Sequence, residues 1–469
     1  MWEIIRRWID VNSSRLTGLS DAVWHCAETA LRETKSSALL ADALAAAGFT
    51  VVRGVAGIPT AFTATFGCGK PVIGILGEYD ALPGLSNAAE PAQKPLVPGA
   101  PGHGCGHNLL GAAGVGAAMA VKAAVEAGDV QGTVRFYGCP AEERDAGKVY
   151  MVREGLFADC EIALTWHPGQ VNGVNLASSL AIDTYIFRFY GRTAHAAADP
   201  WNGRSALDAV ELLNIGANYL REHIPSDARL HYITIEGGLA PNIVPNYAAV
   251  RYTVRSPRRD QAEDISRRLR QVAEGAARMT GTRCEPEYLY GLHNTLHNGV
   301  VSGVLDRCLA TVGAPPFDAA DGAFAAELSR TFPGRGQPVL RRFGTAAERL
   351  RGKLLCDEIL PPYGQGTSQM GSTDVGNVSW VVPTGEFTMA CSPIGTPGHS
   401  WQITASSASS VGHKGMLAAA KVLGLAAAEF MGRPDLIKAA QAELAEVTVE
   451  FPYRSPLPVG KQPPVPRQD

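Results

Sequence analysis

Three short runs constrain this chain most: PVIGIL (71–76), TVRFYGC (133–139) and IALTWHP (162–168). The first is continuously apolar, the other two nearly so, and each breaks off into polar residues: GEYDALPG, PAEERDAG and the His167 imidazole. A strand without a solvent face belongs inside a sheet that is covered on both sides. Shorter strand-like runs precede them at 50–55 and 60–66, and a small-residue stretch at 109–127 reads as a helix. Residues 20–49 read as one further helix, capped near Ser20 or Asp21 and ended by Gly48. Alternating strands and helices with polar strand ends predict an open α/β sheet whose ligand crevice lies at the carboxyl ends of its strands.

The pattern changes near residue 178. Strands at 180–191, 229–236, 246–255 and 284–290 alternate with helices at 203–222 and 260–279, giving βαββαβ, a ferredoxin-like α+β unit. The expected division is 1–178, first part of the main domain, 179–291, an inserted domain, and 292–469, the second part with a Pro-rich tail read as extended or disordered. A length of 469 residues accommodates two cores.

Charge excludes some functions. The formal net charge is -3 and no Lys/Arg cluster interleaves with aromatics, so no nucleic-acid partner is expected. No run of 18 apolar residues suggests a membrane span, and the N-terminal spacing of Trp2, Ile5, Trp8 and Ile9 is amphipathic rather than that of a secretory signal. Nine irregularly spaced cysteines do not form a disulfide framework, which points to a reduced, cytoplasmic protein.

Four strand-end or loop sites carry groups that bind metals: Cys105 with His107, Glu142 with Glu143, His167, and His399. Each alone has a bland explanation: a strand-end histidine is usually hydrogen-bonded structure, a glutamate pair a solvated loop, a buried cysteine a small hydrophobe. Together they fall where the crevice is expected, and imidazole, thiolate and carboxylate suit zinc or manganese. In GHGCGHN (102–108), three glycines let Cys105 and His107 face one centre. With the glutamate pair, one carboxylate can ligate while the other takes a proton from water, an arrangement that favours hydrolysis.

GEYDALPGLS, GHGCGHNLLGAA, RFYGCPAEE, LTWHP, TAHAAADPWNGRSALDAV, GTPGHSWQ and HKGMLAAAK occur in this order and resemble the amidohydrolase branch of the dinuclear-metal aminoacylase/carboxypeptidase family, peptidase family M20. The resemblance implies a mixed-sheet, metallopeptidase-like catalytic domain with an inserted lid that also dimerises. It implies two divalent ions, manganese or zinc, bridged by Cys105 and held by His107, Glu143, His167 and His399. Glu142 becomes the general base and Asp80 the carboxylate that orients a ligand. His195 matches the lid histidine that steadies an oxyanion, often from the dimer partner, and Asn242 matches a lid residue near the substrate; Arg255 follows on the next strand. His25, His103, His223, His231, His293, His297 and His413 are left without a ligand role. Arg144-Asp145 and the segment 169–179 depart from the family pattern and leave the substrate open.

The implied reaction is hydrolysis of the amide of an N-aroyl or N-acyl amino acid, with p-aminobenzoyl-glutamate the first to try. A hydrolytic deaminase of an aromatic amine and a metal-loaded partner subunit without turnover are the alternatives. The expected partners are a small-molecule amide and a second copy of the chain, or a paralogous subunit in its place.

Overall fold

The computed structural model describes residues 1–334, 343 and 346–466. Its eleven strands are β1 (Thr50–Arg53), β2 (Phe62–Gly67), β3 (Val72–Glu78), β4 (Thr133–Cys139), β5 (Ile162–Gly169), β6 (Gly173–Val174), β7 (Ala181–Tyr190), β8 (Arg229–Glu236), β9 (Tyr247–Ser256), β10 (Arg283–Leu292) and β11 (Thr384–Ala390). Seven of them form a mixed sheet in the order β1-β2-β4-β3-β5-β11-β6. Its centre, β4, β3, β5 and β11, is parallel, so all four strands end on the same edge. The chain leaves β3 for β4 on one side and returns to β5 on the other. That reversal opens a crevice at the end of β3, the usual ligand position in such sheets.

The apolar strands behave as their composition requires, with every residue of β3 buried. Small-residue helices cover them at His107–Glu126 and Ser410–Gly432, and the N-terminal helix buries Ile5 and Ile9 in the same core. The two covering helices are long and apolar enough to cross a bilayer, yet most of each is buried within the fold, which accounts for their composition.

The single helix expected over 20–49 is instead two, Ser13–Cys26 and Thr34–Ala46. Ala27 (φ 43°) and Leu31 (φ 62°) turn the chain between them. The Glu28 carboxylate then accepts the Lys35 and Ser36 backbone N–H groups at 2.9 and 2.8 Å, supplying partners for the start of the second helix. The break has a structural use, because the connector lies along the loop after β3, where the Ala81 N–H reaches the Glu28 carbonyl at 2.8 Å.

The other four strands form an antiparallel sheet in the order β10-β7-β9-β8, covered on one face by helices Ala206–Leu220 and Arg259–Thr280. Phe187, Phe189, Val250, Leu213 and Leu269 fill the core between them. Near the start of β7, buried Asp183 accepts hydrogen bonds from Arg259 (2.8 Å), Ser266 (2.8 Å) and Tyr288 (2.7 Å). Asp183→Ala leaves the Arg259 guanidinium buried without its counter-ion. The expected cost is about 3–5 kcal/mol, read as a lowered midpoint in denaturant unfolding.

The Pro-rich tail, as far as residue 466, is an extended arm without helix or strand. Its Leu457 is buried, and its Arg454 and Lys461 carbonyls accept from His293 and Arg153.

Candidate metal centre

The parallel strands deliver their chemistry to one edge: β3 runs into Glu78 and Asp80, β4 into Glu142 and Glu143, β5 into His167, and β11 into the loop that carries His399. The loop before helix His107–Glu126 adds Cys105 and, as the first helical residue, His107. Its glycines have steric roles. A Cβ on Gly102 would stand 2.2 Å from the Leu85 carbonyl oxygen, and Gly106 caps the helix at φ +81°. Ala141, just before the glutamate pair, and His399 hold φ of 62° and 49°, strained values of the kind that accumulate at functional sites.

Two of the three imidazoles, His107 and His167, are oriented by their second nitrogen. His107 donates from Nδ1 to Asp80 Oδ1 at 2.8 Å, while Asp80 Oδ2 accepts the Glu143 N–H at 3.0 Å. His167 donates from Nδ1 to the Pro168 carbonyl at 2.8 Å, which leaves its Nε2 facing Cys105 Sγ at 3.4 Å. His399 Nε2 lies 3.4 Å from Glu143 Oε2. Fixing one ring nitrogen so that the other points at a common centre is the usual support of a metal-binding histidine.

Among the described residues, potential ligand atoms converge in three groups, Cys105–His107–His167, Cys105–Glu143–His399 and Glu78–His107–Glu142, each with all its atoms within 4.8 Å of one another. Cys105 is common to the first two. His107 Nε2 and Glu143 Oε1 are buried without a hydrogen-bond partner. An orphaned buried polar atom costs about 1–3 kcal/mol, and cations at these positions would satisfy both. The donor set, a thiol, three imidazoles and carboxylates, fits two borderline divalent ions.

The electrostatics agree. Burial pushes the Cys105 thiol up, so it needs a neighbouring cation to become a thiolate. Burial also disfavours the charged form of His107, but Cys105, the Asp80 hydrogen bond and Glu78 outweigh it and raise the imidazole well above its usual range. Burial, reinforced by Glu78, Glu143 and Asp374, lifts Glu142 well above an ordinary carboxylate. Acidic groups are crowded here into a buried cleft that favours their neutral forms, and a bound cation would let them ionise.

Not every sequence candidate sits in this cleft. His195 is exposed on the second sheet's domain, and its Nδ1 accepts the Ala197 and Ala198 N–H groups at 3.2 and 3.1 Å, which leaves the ring proton on Nε2. Asn242, also exposed, accepts the Ala196 N–H at its carbonyl at 3.1 Å and so shares a loop cluster with His195. Among the described residues neither hydrogen-bonds to a cleft side chain. Arg255 reaches across to Ser372 Oγ at 3.2 Å. His103 lies behind the Cys105–His107 turn, donating to the Val23 carbonyl at 3.2 Å, and burial lowers its pKa to about 3, a neutral structural histidine. His413 pairs with Asp21 and His297 with the Ala177 carbonyl, away from the cleft.

Four groups went unassigned in the sequence. Glu78 ends β3, inside the GEYDALPG run, where a strand-end carboxylate was a visible signal. Lys148 and Asp374 form a buried ion pair with it, Lys148 Nζ lying 2.6 Å from Glu78 and 2.5 Å from Asp374. Glu33 accepts the Ala141 N–H at 2.9 Å and braces the turn that presents Glu142; burial and Asp80 raise its pKa to about 8. Arg144 and Asp145 pair with each other at 3.0 Å, the arginine exposed. The segment 169–179 runs beside residues 359–368, bridging at Asn172–Ile359, Asn175–Tyr363 and Ser178–Ser368.

Residues 181–279 match the family model described as a peptidase dimerisation domain. Over 461 residues, 96% of both chains, the sequence is 42% identical to one of the subunits of the p-aminobenzoyl-glutamate hydrolase of Escherichia coli. It is 28% identical over 453 residues to Xaa-Arg dipeptidase of Mus musculus, covering 93% of this chain and 90% of the dipeptidase. A Bacillus subtilis structure described as a dinuclear metal binding peptidase from the M20 family shares the fold at a TM-score of 0.60 and 17% identity, covering 90% of this chain and 99% of that one.

Proposed function

The chain belongs to the M20 peptidase family, whose members here are hydrolases of amide bonds, and on that premise we propose that it cleaves the amide of an N-aroyl or N-acyl amino acid, p-aminobenzoyl-glutamate first among them. The observation that carries this reading is the pair of donor groups sharing Cys105, with Glu142 beside them. Cys105, His107, Glu143, His167 and His399 would hold two divalent ions, manganese or zinc, and Asp80 would keep His107 in register. Bound there, such ions supply Lewis acidity, polarising the amide carbonyl and acidifying water.

The chain's own groups do the rest. Glu142 accepts the proton of the attacking water and passes it to the departing amine nitrogen, so that acid and base are one carboxylate at successive steps. The His195 Nε2–H donates to the oxyanion that develops on the carbonyl. Asn242 lies beside His195 and would line the substrate. Since His195 is exposed and apart from its own cleft, we assign it to the cleft of a second copy.

Dimerisation through the lid is supported by its surface. Edge strand β8 exposes Ile233 (64%) and Ile235 (47%), and the helix on the same domain exposes Ile215 and Tyr219. A row of apolar side chains on an open strand edge is a surface for pairing. All nine cysteines are free, which supports placement in a reducing, cytoplasmic compartment.

His195→Ala is expected to lower kcat by about 10²–10³-fold while leaving bound metal unchanged. Coexpressed His195→Ala and Glu142→Gln chains should recover part of the activity, because one cleft of the mixed dimer then has both groups. No recovery would place each His195 at its own cleft.

The test of substrate class is release of products from p-aminobenzoyl-glutamate, a panel of N-acyl amino acids and a dipeptide ending in arginine, with manganese or zinc. A free amino acid is the expected product. Ammonia without an amino acid would establish the deaminase instead, and tightly held metal with no turnover on any substrate would favour a role as a non-catalytic partner.

A further inference from the structure

Glu78 stands outside the ligand set of Cys105, His107, Glu143, His167 and His399, yet it is built into the centre. It is 3% exposed, and its Oε1 accepts from Lys148 Nζ at 2.6 Å, which fixes the carboxylate plane and turns Oε2 toward His107. His107 donates a hydrogen bond from Nδ1 to Asp80, leaving Nε2 for another partner. Glu78 Oε2 stands 3.3 Å from that nitrogen. No hydrogen bond is aligned between them, and His107 Nε2 is among the buried atoms without a partner.

We propose that Glu78 is a metal ligand, binding through Oε2 the ion that His107 binds through Nε2, with Lys148 as the residue that positions it. The proposal rests on the dinuclear reading above and extends it. The spacing has a physical meaning: two donors each about 2.1 Å from a tetrahedral ion lie about 3.4 Å apart. The same separation recurs at the two other donor edges of the cleft, 3.4 Å for Cys105–His167 and 3.4 Å for Glu143–His399. His107 and Glu78 therefore stand at nearly the separation of the other two pairs, one at which a single ion can bind both donors.

Lys148 explains why a carboxylate can wait there. It is buried between Glu78 and Asp374, and Asp374 also accepts the Lys148 backbone N–H at 2.9 Å. One oxygen of Glu78 is thereby occupied by a cation of the protein and the other is left for a cation from solution. The consequence is asymmetry between the two positions: the ion on His107 gains an anionic donor from Glu78, whose ligand atom converges with those of His107 and Glu142. It should load first and resist chelators longest.

Glu78→Gln keeps the size of the side chain and an oxygen for Lys148 but removes the charge. After dialysis against a weak chelator, wild-type protein should retain two zinc or manganese ions per chain and the variant one, the tighter of the two binding steps being weakened by more than about tenfold. Two ions in both proteins with equal affinities would overturn the role of Glu78 and leave the dinuclear centre standing. No ion in the wild type would overturn the centre itself, and the inference with it. A wild-type crystal grown with zinc gives the same answer without a variant: anomalous density about 2.0–2.2 Å from Glu78 Oε2 supports the assignment. Density at Cys105, His167 and His399 that leaves Glu78 beyond bonding distance refutes it.

Discussion

Glu142→Gln is expected to abolish hydrolysis, lowering kcat by about 10²–10⁴-fold, with two ions still bound per chain. The amide that replaces the carboxylate neither accepts the proton of the attacking water nor returns it to the amine. The substitution should not destabilise the fold, because burial together with Glu78, Glu143 and Asp374 already disfavours charge at this position. Metal content by elemental analysis beside a product assay separates the two effects. Turnover at the wild-type rate would remove Glu142 from the mechanism, and loss of metal in step with activity would make it a ligand instead of a base.

Cys105→Ala should fail differently, losing both ions together with turnover. Cys105 is the one donor shared by the two groups that contain His167 and His399, so its removal takes an anionic ligand from both positions at once. Metal should fall below one ion per chain and activity to background, while the folded core persists because Cys105 belongs to the turn and to none of the hydrophobic clusters. A Cys105→Ala protein that keeps two ions would show that the thiolate bridges nothing. The contrast between the two variants, activity lost with metal kept and both lost together, is sharper than either result alone.

The central strands were legible because their burial leaves a one-dimensional trace: Thr133–Cys139 has the bounds that its apolar run suggests, and the βαββαβ alternation is realised as the order β10-β7-β9-β8. The break at Ala27–Glu33 was not legible. It is made by contacts of Glu28 with Ala81 and Glu33 with Ala141, 108 residues away in the latter case, and helix propensity carries no record of them. The cleft shows the same division. Cys105 and His107 announce themselves by spacing within one glycine-rich turn, and His167 by its strand end. Lys148 and Asp374 are an ordinary lysine and an ordinary aspartate until the fold brings them together across 226 residues. His195 is a further case: a motif pointed to it, but in the single chain it stands outside the cleft, and only a second copy or a closing lid would deliver it.

The most direct test of metal-dependent amide hydrolysis is stepwise reconstitution. Protein stripped with a strong chelator is titrated with manganese while release of glutamate from p-aminobenzoyl-glutamate and bound metal are followed on the same samples. Hydrolysis should be absent from the stripped protein and rise to its maximum as the second ion binds, with no rise in Glu142→Gln at any loading. Undiminished hydrolysis by the stripped protein would contradict the account.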